Sequence, residues 1–184
     1  MIAELGHFAL ILALVTAVFQ VAVPAYGLAT RNPRALAMAT SAAQVQFMLV
    51  LLAYVALTVC FVQWDFSVAS VASHTHSDTP LMYRITAVWG GHEGSFLLWG
   101  LMLTGWTALV SVLNRRLPED FRATVLAVLG AISIGFLLFM LLTSNPFDRV
   151  FPVPLEGQDL NPLLQDPGMI VHPPTLYMGF VGFS

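Results

Sequence analysis

The chain has 184 residues, 58% of them hydrophobic and 9% charged, against about 25% charged in ordinary soluble domains. Its seven basic residues are all arginine and face ten acids, which excludes a nucleic-acid surface. A single cysteine, Cys60, excludes an intrachain disulfide or a CxxC redox pair and reads as a buried structural thiol. Such a chain belongs in a bilayer, and the expected fold class is all-α, a polytopic bundle of membrane helices.

In chain order, long apolar segments cover about Phe8–Tyr26, Ala42–Val62, Ser95–Leu113 and Phe121–Thr143. Each is near the length that spans a bilayer and carries no charge beyond its edges. Only Glu4 and His7 precede the first, so it is not a cleavable signal, which needs a basic leading region. Arg31 and Arg34 lie between the first two segments, and Arg115, Arg116 and Arg122 flank the link between the third and fourth. The longer loops, about 63–94 and 144–172, hold only Arg84 and Arg149. By the positive-inside rule the N-terminus and both long loops are outside. Loops of that length usually carry function, so the work is expected on the outer face.

The segments read as packed against neighbours. Ala9, Ala13 and Ala17, and likewise Ala127, Ala131 and Gly135, form small-residue stripes that permit close helix approach. Gln20, Gln44 and Gln46 can hydrogen-bond between helices. In the second long loop, Asn161 and Pro162 have the cap and first-position chemistry of a short helix, with Leu163 and Leu164 at headgroup level. A fifth helix is expected to start near Pro174, after Pro173. The chain stops too soon to complete a fifth span, which is the expectation for an N-terminal part of a larger membrane domain.

Two constellations carry candidate chemistry. In Trp89-Gly90-Gly91-His92-Glu93-Gly94-Ser95, three glycines allow close backbone approach and Glu93 suits a helix start. His92 there is a ligand, a proton relay, or a turn residue bonded to Glu93. In Gln165-Asp166-Pro167-Gly168-Met169-Ile170-Val171-His172-Pro173-Pro174, one imidazole stands at the head of the fifth helix. Haem iron, unlike zinc, can be held by one or two histidines without a cysteine cluster, so His172 is a metal ligand through haem iron, or else caps its helix or binds lipid phosphate. His74 and His76 lack the further ligands zinc requires and read as a solvated loop. His7 reads as an interfacial polar residue. No nucleophilic arrangement is present, and no catalytic residue is assigned.

These motifs, with Thr143-Ser144-Asn145-Pro146-Phe147, Asp159-Leu160-Asn161-Pro162-Leu163-Leu164 and Leu176-Tyr177-Met178-Gly179, closely resemble the CcmF family of cytochrome c-type biogenesis proteins, with its NrfE branch. The resemblance runs the length of the chain. It implies the core of a cytochrome c haem lyase in the bacterial inner membrane. That core takes haem from the carrier CcmE, works with CcmH and CcmI, and helps attach haem to the CxxCH motif of apocytochrome c on the periplasmic face. His172 matches the first of the family's two external haem-ligating histidines, and His92 is a second candidate that shapes the floor of the external site. The family also holds a haem b within the membrane. Its tryptophan-rich external segment, second external histidine and two intramembrane histidines are not found in these residues, so the piece alone is expected to be inactive. A haem transporter and a non-catalytic scaffold subunit are the alternative readings.

Overall fold

The computed structural model describes residues 1–113 and 117–183, without the side chains of Leu163 and Met169. Among them the regular elements are all helices, apart from one isolated bridge between Val68 and Arg149. The helices are α1 (Ile2–Thr30), α2 (Pro33–Val62), α3 (Ala69–His74), α4 (Leu81–Ala87), α5 (His92–Leu113), α6 (Glu119–Thr143) and α7 (Pro167–Val181). A 3₁₀ turn over Pro162–Gln165 precedes α7. Four of them, α1, α2, α5 and α6, are long and apolar enough to cross a membrane. Arg115 and Arg116, on which part of the orientation argument rests, lie outside the described residues, as does the side chain of Leu163.

The long helices reach further than their apolar cores. Helix α2 begins at Pro33 rather than Ala42, because Asn32 and Pro33 form a helix start that hydropathy alone does not register. The Asn32 Oδ1 accepts from the Arg34 and Ala35 N–H groups at 3.1 and 3.4 Å, and Pro33 occupies the first helical position, where no donor is needed. Arg31, at φ 52°, takes the left-handed conformation that closes α1. The result is a tight α1–α2 hairpin. A Cβ on Gly27 would lie 3.0 Å from the Ala35 Cβ and the Leu36 nitrogen, so the glycine is what lets the two helices approach there.

Ala9, Ala13 and Ala17 are all buried on the inner face of α1, as their spacing predicts. The stripe expected on α6 is displaced. Ala131 and Gly135 are exposed, and a Cβ on Gly135 would touch nothing within 4 Å. The buried face of α6 runs instead through Ala123, Leu126, Gly130, Ser133, Leu137 and Met140. Small size did not decide the matter; helical phase did. Of the three glutamines, Gln20 bonds across helices, its Nε2 donating to the Leu126 carbonyl at 2.7 Å. Gln46 is wholly buried with neither amide atom partnered, and Gln44 is half-buried. The outward faces of the long helices carry large apolar side chains such as Phe8, Ile11, Val15, Val45, Met48 and Val128, as contact with lipid requires.

Both long loops lie at the same end of the bundle, and they are stitched to each other. The Ala69 N–H donates to the Asp148 carbonyl at 2.8 Å, Val150 to Ser67 at 3.0 Å, and Gln158 to Ala72 at 2.7 Å. Arg149 sits at the seam. Its guanidinium reaches Glu4, at the start of α1, Asp65 and the Ser67 hydroxyl. Partial burial works against the charge, but the Glu4 and Asp65 carboxylates beside it outweigh that and raise its basicity. The pairs are exposed and screened, so replacing Arg149 by Ala is expected to cost about 1 kcal/mol in all. Thermal melts at low and high salt check this. The wild type should lose most of its advantage as salt rises, and the variant should not respond.

Candidate functional site

The site is built where α5, α6 and α7 begin or end beside the two loops. Helix α7 starts at Pro167, well before the expected start near Pro174. Asp166 supplies the reason. The Gly168 N–H donates to its Oδ1 at 2.8 Å and the Ile170 N–H to its carbonyl at 3.0 Å, with Pro167 at the first helical position. Pro173 and Pro174 therefore lie inside the helix, where each removes a donor. The carbonyls that lose their donors are those four residues back, at 169 and 170; the Thr175 hydroxyl donates to different ones, of Val171 and His172, at 3.0 and 2.9 Å.

His172 accordingly stands in the second turn of α7 rather than at its head, which removes it from the capping role. Its side chain is exposed, and no hydrogen bond, ion pair or ring contact engages its imidazole among the described residues. It is an unengaged nitrogen donor on α7.

An aromatic ladder fixes that helix against α5. His92 packs on Phe96 with ring centroids 4.6 Å apart, Phe96 on Trp99 at 6.1 Å, and Trp99 stacks on Tyr177 at 6.0 Å with the planes 10° apart. Phe180 meets the Trp99 edge at 5.9 Å. The Trp106 indole N–H donates to the Met178 carbonyl at 3.3 Å. Such aromatic pairs prefer offset-stacked and edge-to-face geometries, which hold one rotational setting of α7. Below the ladder, Trp99, Leu103, Ile132, Phe136, Phe180, Val181 and Phe183 line an apolar groove of about 310 Å³. Since α5 and α7 both start at the loop-bearing end and run side by side, His92 and His172 stand at that same end. They are not in contact.

His92 is already engaged. Its Nδ1 lies 2.7 Å from the Ser144 hydroxyl at the exit of α6, not against Glu93. The next residue makes the same kind of tie to α1, the Asn145 Nδ2 reaching the His7 Nδ1 at 3.1 Å. His7 is thus a link between α1 and the second loop rather than a merely interfacial residue. Neither tie was visible in sequence, since the partners are far apart along the chain.

The Gly90–Gly91–Gly94 cluster is explained by close packing. A Cβ on Gly94 would fall on the Val88 carbonyl oxygen, so only glycine lets the 88–91 turn fold down onto the first turn of α5. A Cβ on Gly91 would lie 2.8 Å from the His74 Nε2. His74 and His76 do not form a pair. The His74 Nδ1 bonds the Ser70 carbonyl at 2.9 Å, while the His76 Nε2 faces Glu156 at 3.2 Å and its carbonyl accepts the Trp64 indole N–H. No group of three or more His, Cys, Asp or Glu stands close enough to hold a metal by itself among the described residues.

Comparison with known proteins agrees with this architecture. The chain is 55% identical over its whole length to the cytochrome c-type biogenesis protein CcmF of Pseudomonas aeruginosa, 52% to CycK of Rhizobium meliloti and 44% to NrfE of Haemophilus influenzae. It spans 27–29% of the length of these relatives. A solved structure titled cytochrome c heme lyase CcmF superposes with a TM-score of 0.84 at 31% identity, over 99% of this chain and 28% of that one. The cytochrome c assembly protein family matches residues 89–184, the stretch that holds both histidine motifs and the ladder between them, and the chain belongs to that family.

Proposed function

We propose that this chain serves cytochrome c maturation as the haem-handling part of a membrane haem lyase. In this reading it receives haem b from a carrier of the CcmE type and acts beside CcmH and CcmI subunits. Haem is then presented to the CxxCH motif of apocytochrome c on the periplasmic face of the bacterial inner membrane. The observation that carries it is His172: an exposed, unpartnered imidazole held in place by an aromatic ladder, in a chain similar along its whole length to cytochrome c biogenesis proteins.

The residues suit haem as a substrate. One nitrogen donor is offered to the iron, and the apolar groove that includes Trp99, Phe136 and Phe180 opens about two turns further along α7. In ligation each cysteine thiol adds across one haem vinyl group, sulfur to one carbon and hydrogen to the other, with no leaving group. The protein's part is to hold the iron and aim the vinyls, which is positioning rather than acid–base catalysis. His92, tied to Ser144, serves as a positioning residue that fixes the start of α5.

Orientation has its own test. Leu155 is fully exposed in the second loop, and the native Cys60 is 1% exposed. A Leu155→Cys variant of the full-length protein is therefore expected to react with a membrane-impermeant maleimide added to intact spheroplasts, with the native chain silent. Labelling only after membrane disruption would place the loops on the cytoplasmic side and remove the proposed site of ligation.

A further inference from the structure

A cavity of about 290 Å³ opens where the first turns of α1 meet the second long loop, at the loop-bearing end of the bundle. Glu4, His7, Phe8 and Ile11 line it from α1, and Phe147 and Arg149 from the loop. Gly6 sets the shared wall. A Cβ there would fall on the Phe147 ring, so only glycine lets that ring lie against α1. Phe8 and Ile11 belong to the exposed apolar face of this long helix. The cavity therefore begins at lipid level and ends among polar side chains, and haem ligation by His172 makes no use of it.

The hydrogen bonds around His7 fix which of its nitrogens is a donor. The Phe147 N–H donates to the Asn145 Oδ1 at 3.1 Å, so the other amide atom, Nδ2, is the one that meets His7. An amide nitrogen can only donate. The His7 Nδ1, 3.1 Å away, therefore accepts, and the ring proton sits on Nε2. That N–H has no partner among the described residues. His7 is only half-buried and lines the cavity, so the donor is open to it. Arg149 has a similar surplus. Its Nη1 serves Asp65 and the Ser67 hydroxyl and its Nη2 serves Glu4, which leaves part of a five-donor guanidinium unused. Its side chain is 36% exposed. Open donors on two residues thus share one cavity with an apolar wall and the Glu4 carboxylate. That carboxylate also holds the Met1 ammonium at 2.6 Å, and its lone pairs leave room for a further donor.

We propose that this cavity binds one phospholipid with a primary ammonium headgroup, of the phosphatidylethanolamine class. The phosphate takes the His7 Nε2–H and the spare Arg149 donors, a pairing that guanidinium geometry favours. The ammonium lies on Glu4, and an acyl chain follows Phe147, Phe8 and Ile11 down α1. The site offers both signs of charge, as the zwitterionic headgroup does. The bound lipid would tie α1 to the second loop from outside the bundle.

The test uses the full-length protein, purified with its partner subunits, stripped of lipid by detergent washing and titrated with dioleoylphosphatidylethanolamine under native mass spectrometry. The expected result is saturation at one retained lipid with a matching rise in melting temperature. Affinity should fall at least tenfold in a His7→Phe/Arg149→Gln double variant, and several-fold for dioleoylphosphatidylcholine, whose ammonium has no N–H. Ile11→Trp, a change at the lipid-facing wall, should block the groove and serves if the double variant does not fold. Graded lipid adducts without saturation overturn the proposal, as does binding unchanged in the variants. Displacement of the lipid by inorganic phosphate would make this a site for the free anion and overturns it too. Because the readout is lipid binding and not cytochrome yield, its failure leaves the haem reading standing.

Discussion

Replacing His172 by Ala in the full-length protein is expected to reduce mature cytochrome c at least tenfold while leaving the amount of folded protein unchanged. The two halves of this expectation have separate causes. The residue is exposed and its imidazole makes no hydrogen bond, ion pair or ring contact among the described residues, so its removal costs little packing. The adjoining Thr175 bonds are to backbone carbonyls and survive the change. What is lost is the nitrogen donor. His172→Gln, which keeps polarity and approximate length, should fail as completely. A scaffold subunit would tolerate it. Immunoblots for the protein and haem-stain gels for the cytochrome separate the outcomes.

Gly94→Ala is expected to have the largest effect on the fold, about 3 kcal/mol, which for a membrane protein means little folded material. The added methyl group would occupy the position of the Val88 carbonyl oxygen, a backbone atom that cannot swing aside as a side-chain tip can. Relief requires lifting the 88–91 turn off α5, which would loosen His92 from Ser144 and shift the ladder that begins with Phe96. Gly179→Ala is the matched control. A Cβ there meets nothing within 4 Å, and Ala favours the helix by up to about 1 kcal/mol. Melting temperatures in one detergent should fall sharply for the first and hold or rise slightly for the second.

The contrast between these two glycines shows what sequence could reveal. Apolar runs located the four long helices, because lipid demands uninterrupted hydrophobicity and helical backbone pairing together. Their ends were harder to see. Asn32-Pro33 and Asp166-Pro167-Gly168 are capping signals, but hydropathy does not register the first, and Pro173-Pro174 offer a competing start signal to the second. Two prolines in succession suggested a helix start; local capping by Asp166 placed the start earlier and left them inside.

Candidate residues followed the same division. His172 was legible because a lone imidazole between a turn-rich loop and an apolar run is unusual by itself. The cavity at the head of α1 was not, since His7 and Arg149 come from separate segments joined only by the bundle. Likewise the His7–Asn145 and His92–Ser144 ties link residues on different elements. The glycines at 91 and 94 were recognised as permitting close approach, but what approaches them, the His74 ring and the Val88 carbonyl, is a tertiary fact.

The most direct test of the central claim is an optical titration of reduced haem into the full-length protein, comparing the wild type with His172→Ala and His92→Ala. His172 as an axial ligand predicts that His172→Ala loses the histidine-ligated haem bands and binds at least tenfold more weakly at the external site, while His92→Ala keeps the wild-type bands. A wild-type spectrum and affinity in His172→Ala would contradict the account.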